Sequence, residues 1–221
     1  MMDHDTKDWD HATRRRLLEV SAEIFAMKGF RKATVRDICG TAGTNIASIH
    51  YHFGNKQALY NAVIQYAYQI EKDKFPPDHG VAPDAPPDRR IYGFIRSLLL
   101  RVFKDGEVTT FAKLMHREMV EPTPALRMLV ESELFPLRLY LEGLIKSLAS
   151  DALDEDALRD TVLFITGQFV VFHQMKPAID LLYPGFVMTE SRIDAVAEHI
   201  TQFSLAGLRS LVEHHTKQYP R

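Results

Sequence analysis

The fold is decided by residues 29–64, GFRKATVRDICGTAGTNIASIHYHFGNKQALYNAVI. Thr34 precedes an apolar helical pattern and is followed three positions later by a carboxylate, the arrangement of a capping box. Asn45 is a good N-cap for a second short pattern, and Gly43 and Gly54 stand where the two helices should end. The stretch therefore predicts two short helices joined by a tight turn that contains glycine.

Longer helical patterns flank this pair on both sides. Apolar and small residues recur on one face from about Ala12 to Lys28, and Gly29 suits a left-handed C-terminal cap. On the other side, Asn55 caps a helix whose apolar residues recur every three to four positions as far as Ile70. The pair of short helices is thus expected to stand between two supporting helices.

Proline divides the rest of the chain. Five of the 11 prolines lie between residues 76 and 88, and proline disrupts a helix interior, so this segment is predicted to be a connector. Beyond it the period of 3.6 residues returns, and Pro136 should bend or interrupt the helix that contains it. Five helices are expected there, near residues 89–105, 107–119, 124–149, 155–175 and 189–214. Because no strict polar/apolar alternation with hairpin turns occurs, the fold class is predicted to be all-α.

Charge follows the same division. The chain has 221 residues and a net charge of −2, yet residues 12–70 carry eight basic and three acidic side chains, so this stretch is +5 and the remainder −7.

The single cysteine, Cys39, excludes an intrachain disulfide and a cysteine zinc cluster. One cysteine suits a reducing compartment, so a cytoplasmic location is expected. The first 16 residues lack the apolar core of a secretory signal, and no uncharged apolar run approaches the ~20 residues of a bilayer span.

The second short helix presents an unusual outer surface. Its inner face is predicted to bury three apolar residues, Ile46, Ile49 and Phe53. Its outer face then carries small and aromatic groups, Ala47, Ser48, His50 and Tyr51. Small residues permit close approach, and hydroxyl or ring nitrogen atoms reach phosphate oxygens and base edges. In a basic module this pattern indicates a recognition helix for the major groove of DNA.

These residues resemble the DNA-binding domain of the TetR family of bacterial transcriptional regulators over about residues 12–70. The matching positions are Gly29-Phe30, Thr34 to Ile38, Ala42-Gly43, Tyr51-His52-Phe53, Lys56 and Leu59. The chain departs from the family pattern at Asn45, Ala47 and His50, where the family often has Ser, Gly and Tyr. In the C-terminal part, REMVEPTPAL and GQFVVFHQMKPAIDLLYP resemble the body of a CecR-like subgroup.

The resemblance implies a homodimeric repressor that a small effector releases from a palindromic operator in double-stranded DNA. It implies phosphate or base contacts at nine residues: Thr34, Arg36, Thr44, Asn45, Ala47, Ser48, His50, Tyr51 and Lys56. The expected domains are a helix-turn-helix domain (1–54), a connecting helix (55–75), a proline-rich linker (76–88) and an effector-binding and dimerisation domain (89–221). Dimerisation is expected through residues of about 155–175 and 189–214.

Nine body residues are candidates for the effector pocket because they place aromatic, sulfur or polar groups on predicted helices, although core packing explains each one individually. They are Phe94, Leu98, Phe111, Met115, His116, Met119, Phe164, Gln168 and Phe172. The aromatic and apolar residues among them suggest that the effector is mostly apolar or aromatic. The arginines at positions 14–16 fit either a solvated helix start or a phosphate contact.

No catalytic residue, metal ligand or cofactor is expected from the sequence. The ten histidines show no HExxH-like spacing, and no Walker loop, dinucleotide fingerprint or nucleophile elbow occurs. Two alternatives remain beside the repressor: a DNA-binding dimer without an effector, and a helical enzyme.

Overall fold

The computed structural model describes residues 2–150 and 152–218, with side chains described for 10–150 and 152–214. The first four helices are α1 (Met2–Lys32), α2 (Val35–Ala42), α3 (Ile46–Phe53) and α4 (Lys56–Lys74). The next elements are α5 (Pro87–Val102), strands β1 (Phe103–Lys104) and β2 (Glu107–Val108), α6 (Thr110–Val120) and α7 (Pro124–Leu129). A π-helical turn (Val130–Leu134) leads into α8 (Phe135–Ala149), which precedes α9 (Glu155–Gln174), α10 (Lys176–Leu182) and α11 (Glu190–Gln218).

The helix boundaries of the N-terminal region confirm the sequence prediction at each cap. Thr34 accepts a hydrogen bond from the amide of Asp37 at 3.0 Å, and the carboxylate of Asp37 accepts one from the amide of Thr34 at 3.2 Å. The side-chain oxygen of Asn45 accepts from the amide of Ser48, and that of Asn55 accepts from the amide of Ala58. Such caps satisfy amides that have no partner inside the helix.

Three glycines have positive φ angles at the ends predicted from sequence. Gly29 (φ 76°) interrupts α1, Gly43 (φ 69°) ends α2 and Gly54 (φ 82°) ends α3. α1 itself begins at Met2 instead of the expected Ala12. No proline or glycine lies before Gly29, so nothing in the sequence stops the helix from extending towards the N-terminus beyond Ala12. The acidic residues in this part of the chain also interact favourably with the positive end of the helix dipole.

The C-terminal region is helical as predicted, with two corrections. The helix expected over 89–105 ends at Val102, and residues 103–108 form a small antiparallel hairpin that turns at Asp105 and Gly106, both at positive φ. Residues 176–182 form a further helix with Pro177 in its first turn, where the missing amide costs nothing. The π-helical turn lies directly before Pro136, which agrees with the predicted interruption.

The chain divides into two compact units. Unit 1 comprises Met1–Glu71 and Thr110–Glu131, and unit 2 comprises Lys72–Thr109 and Ser132–Arg221. The units are therefore interleaved along the chain, whereas the predicted domains are consecutive, and the predicted boundaries remain a proposal about which segments carry which role.

Each unit has its own apolar core. In unit 1 the inner face predicted for α1 is buried, and the ring of Phe25 meets that of Tyr60 edge-on at 4.8 Å between centroids. Cys39 is buried in the same core, as expected for a small apolar side chain. The core of unit 2 is formed mainly by α5, α8, α9 and α11. The proline-rich segment is tied to this unit, because the carbonyl oxygen of Phe75 accepts hydrogen bonds from Ser97 and Arg101 at 2.8 Å.

Candidate nucleic-acid interface

Helix α3, which the sequence predicts to be the recognition helix, keeps one face in the core of unit 1 and exposes the other. Ile49 is 1% exposed, whereas Tyr51 on the opposite side is 76% exposed. Ala47 and His50 are exposed as well. The prediction for Ile46 is wrong, because its side chain is 46% exposed. Ile46 is the first residue of α3, and helical side chains lean towards the N-terminus, so this side chain projects past the end of the helix.

Both ends of α3 are held by local hydrogen bonds. At its start, Asn45 uses one side-chain oxygen to accept from both the amide and the hydroxyl of Ser48, at 3.0 and 3.2 Å. The amide nitrogen of Asn45 has no part in this cap, so it keeps two N–H donors for another group. The half-buried Ser48 donates its hydroxyl proton to the cap, so its oxygen can only accept a hydrogen bond from another group.

His50 makes a contact that determines its chemistry. Its Nδ1 lies 2.7 Å from the carbonyl oxygen of Gly54, and a carbonyl oxygen can only accept a hydrogen bond. Nδ1 therefore carries the proton, and in the neutral ring Nε2 is an acceptor. An acceptor at this exposed position suits the amino groups that adenine and cytosine present in the major groove.

The other residues that the sequence assigns to phosphate contact lie at the starts of α2 and α4. Thr34 and Arg36 are exposed. Lys56 is half-buried, its ammonium lies 4.7 Å from the centroid of the Phe30 ring, and its Nζ donates to the carbonyl oxygen of Arg31 at 3.4 Å. Burial lowers the pKa of Lys56. Contact with a phosphate would compensate this desolvation.

The one acidic residue of α2 is neutralised by a neighbour. Nζ of Lys28 donates to the carboxylate of Asp37 at 3.0 Å, and this hydrogen bond, with those from Thr34, lowers the pKa of Asp37. The capping box therefore places no uncompensated negative charge beside Arg36.

A groove runs between α1 and the start of α3. Its lining has no acidic residue and consists of Ala12, Thr13, Arg16, Ala42, Gly43, Thr44, Asn45 and Ser48. Three of these, Thr44, Asn45 and Ser48, belong to the residues that the sequence assigns to DNA contact. All nine assigned residues lie in unit 1 and are exposed or half-buried, and their contacts with DNA remain a prediction.

The nine candidate effector residues do not form one lining within either unit. Four belong to unit 1: Phe111, Met115, His116 and Met119. Five belong to unit 2: Phe94, Leu98, Phe164, Gln168 and Phe172. Their surroundings also differ, because Phe94 is 3% exposed and packs beside Tyr140, whereas Phe164 is 69% exposed.

The other candidates are partly covered. Phe111 meets Tyr68 edge-on at 5.5 Å in unit 1, and Phe172 stacks on Phe186 at 6.0 Å in unit 2. Nε2 of Gln168 donates to the hydroxyl of Ser204 at 2.9 Å. Leu98 and Met115 are half-buried, and Met119 is 46% exposed.

His116 lines a groove of about 240 Å³ in unit 1, between the end of α1 and the residues that follow α6. The floor of this groove contains a polar cluster that the sequence did not indicate. The hydroxyl of Tyr60 donates to Glu118 at 2.7 Å, and the amide of Thr123 donates to the same carboxylate at 3.0 Å. Arg117 donates to the carbonyl oxygens of Ala26 and Met27 at 2.7 and 2.5 Å.

Within the described residues, no cluster of three His, Cys, Asp or Glu side chains could hold a metal ion. No helix in that part of the chain is sufficiently long and apolar to cross a membrane.

Comparison with known proteins gives two family matches. Residues 17–63 match the family described as bacterial regulatory proteins, tetR family. Residues 87–208, more than half of the chain, match the family described as HTH-type transcriptional dual regulator CecR, C-terminal domain.

Individual relatives agree with these matches. The HTH-type transcriptional dual regulator CecR of Shigella flexneri is 28% identical over 200 residues, which cover 85% of this chain and 87% of the relative. The HTH-type transcriptional regulator TtgR of Pseudomonas putida is 29% identical over 101 residues, 45% of each chain.

Solved structures share the fold. A TetR-like transcriptional regulator from Rhodococcus sp. RHA1 superposes with a TM-score of 0.67 at 15% identity, covering 88% of this chain and 96% of that one. AibR, solved in complex with isovaleryl coenzyme A and operator DNA, superposes with a TM-score of 0.65 at 16% identity, covering 86% and 97%.

Proposed function

Because the chain belongs to the TetR family of bacterial transcriptional regulators, with a C-terminal domain of the CecR type, we propose that it is a homodimeric repressor released from a palindromic operator by a small molecule. Regulation of transcription through a DNA-binding helix-turn-helix is the function of this family. A cytoplasmic location, where DNA is accessible, is part of the proposal.

The outer face of α3 supports the DNA-binding part of the proposal. Ala47, His50 and Tyr51 stand exposed on a helix whose opposite face is fixed in the core by Ile49. A helix held in this way can enter a major groove without rearrangement, and contacts to base edges then specify the sequence.

The proposed dimer rests on the exposed apolar side chains of α9 and α11. Leu163 and Phe164 on α9 are 59% and 69% exposed, and Phe203 on α11 is 68% exposed. Exposed apolar patches of this kind mark interaction surfaces, and a second copy of the chain would bury them symmetrically. In such a dimer the two α3 helices would read half-sites about 34–36 Å apart.

Binding to the DNA upstream of the chain's own gene tests the proposed function. Fluorescence anisotropy with purified protein should show binding that prefers that duplex over a scrambled one and that weakens steeply with salt. The fragments selected from a random pool should be palindromic. Absence of any sequence preference would reject the proposal.

The effector is proposed to be a small, mostly apolar or aromatic molecule bound by the C-terminal body. The body supplies aromatic residues and the polar group of Gln168, the composition that ligand sites commonly have. Simple aromatic acids fit this description and are suitable first probes, and isovaleryl coenzyme A, named for the structural neighbour AibR, tests a larger and charged ligand for comparison. A ligand can release DNA only through its different affinity for the two conformations, so an active probe must both bind the free protein and weaken operator binding.

A second candidate is a DNA-binding dimer without an effector. The close packing of Phe94, which is 3% exposed and lies beside Tyr140, favours it. This candidate predicts that no probe changes the Kd for the operator.

A further inference from the structure

The three consecutive arginines of α1 have different surroundings. The guanidinium of Arg14 lies 5.2 Å from the centroid of the Phe53 ring, a cation–π contact within unit 1. Nε of Arg15 lies 3.7 Å from the carboxylate of Glu19, one turn further along the helix. Arg16 is exposed and makes no hydrogen bond or ion pair among the side chains that the structure describes. Of the three guanidinium groups, that of Arg16 alone has neither a charged nor an aromatic partner among the described residues.

Arg16 also has a position that its two neighbours lack. It lines the groove between α1 and α3, which Thr44, Asn45 and Ser48 border on the other side. These three residues belong to the turn and to the start of the recognition helix. A group bound in this groove would therefore touch α1 and the beginning of α3 together.

The polar groups of the groove favour an anion. No acidic residue lines it, and Arg16 brings a full positive charge. The side-chain amide of Asn45 keeps its N–H donors because only its oxygen takes part in the cap. The hydroxyl of Thr44 has no hydrogen-bond partner among the described residues, although it is shielded from solvent. A shielded hydroxyl without a partner in the protein needs one from outside, which is either water or a bound group.

We infer that Arg16 contacts a phosphate of the operator backbone from this groove and thereby sets the register of α3 in the major groove. The inference rests on the proposed function as a DNA-binding regulator and adds a residue that the family resemblance does not assign. A guanidinium presents two parallel N–H donors that match phosphate oxygens, which gives orientation as well as attraction. Backbone contacts of this kind position a protein on DNA without reading its sequence.

Arg15 provides a matched control. Arg16→Gln and Arg15→Gln remove the same charge from adjacent exposed positions of one helix, so both change the long-range field equally. The wild type and both variants are titrated against the duplex selected for the wild type and a scrambled duplex, by fluorescence anisotropy from 50 to 300 mM salt.

The inference predicts that Arg16→Gln weakens binding about 10-fold for each hydrogen bond to phosphate that it removes, because hydrogen bonds to charged groups contribute about that much. The slope of log K against log salt should become shallower by about 0.9 for each phosphate released. Both duplexes should be affected alike, and Arg15→Gln should change affinity less than about threefold. Arg16→Lys should keep the slope while losing part of the affinity, since a lysine supplies charge without the planar fork.

Equal weakening by the two glutamine variants would overturn the inference, because it would mean that Arg16 acts only through its long-range charge. No weakening by Arg16→Gln would overturn it as well. Equal unfolding temperatures of the wild type and both variants exclude a folding defect. A wild type that binds no duplex would instead overturn the proposed function, and the inference with it.

Discussion

The buried hydrogen bond between Tyr60 and Glu118 should be a large contributor to the stability of unit 1. Both residues are 1% exposed, and the hydroxyl oxygen lies 2.7 Å from the carboxylate. Burial and the adjacent carboxylate of Glu118 raise the pKa of Tyr60, so the hydroxyl remains a donor throughout the physiological pH range. The bond joins α4 to α6, and its two residues are separated by 58 positions in the sequence.

The geometry sets the expected magnitude. Tyr60→Phe removes one donor from a carboxylate that retains the amide and hydroxyl of Thr123. A hydrogen bond to a charged group contributes about 1.5–3 kcal/mol, so the free energy of unfolding should fall by about 2 kcal/mol. Glu118→Gln should cost a similar amount, because it replaces the charge-assisted hydrogen bonds from Tyr60 and Thr123 with weaker neutral ones. The double variant should lose less than the sum by about 1–1.5 kcal/mol.

Urea unfolding of the four proteins measures this coupling, and Tyr66→Phe is the matched control. Tyr66 lies on the same helix, but its hydroxyl donates to exposed Glu19 at 3.3 Å, so its loss should cost less than about 0.5 kcal/mol. In thermal unfolding, Tyr60→Phe should lower the midpoint by about 4–8 °C. Equal costs for the two tyrosine variants, or additive costs for Tyr60→Phe and Glu118→Gln, would refute this account.

Two further predictions concern acid stability and assembly. Since hydrogen bonding from Lys28 and the cap lowers the pKa of Asp37, this carboxylate stabilises the fold above the ordinary aspartate pKa of about 3.9 and loses that effect as the pH falls through the lowered value. The stability difference between the wild type and Asp37→Asn should therefore shrink between pH 5 and pH 3 in thermal unfolding, and a constant difference would contradict the assignment. In the proposed dimer, Phe164→Lys combined with Phe203→Lys should give a monomer in light scattering, because the interface would then bury four charges. Leu181→Lys, which changes an 83% exposed apolar residue on α10, is the control and should remain dimeric.

The parts of the fold that the sequence predicted are those set by local chemistry. The capping box of Thr34, the cap of Asn45 and the positive φ angles of Gly43 and Gly54 each depend on residues fewer than five positions apart. Such signals are readable without knowledge of tertiary structure. The outer face of α3 follows from them, because the caps fix where the helix begins and which residues face outward.

The features that the sequence did not predict depend on distant partners. Arg117 bonds carbonyl oxygens of α1 that lie 90 and 91 residues away, and no local pattern encodes a backbone acceptor. Glu118 could have been suspected, since it follows Leu114 by four residues and so shares the apolar face of α6, where an acid needs a buried partner. Its identity as a partner of Tyr60 could not, because residue spacing does not show which helices pack together.

The same tertiary packing changes what counts as the DNA-binding unit. The prediction placed the DNA-binding function in residues 1–54, yet residues 110–131 belong to the same compact unit and anchor the end of α1 through Arg117. The chain leaves unit 1 within α4, re-enters it at α6 and leaves it again at the π-helical turn. The crossing in α4 lies inside a continuous α-helix, whereas the last one lies in a π-helical turn, a distortion at which helices commonly kink. The residues that hold α1 in place therefore include α6, which carries both Arg117 and Glu118, and a fragment of residues 1–54 would lack these contacts.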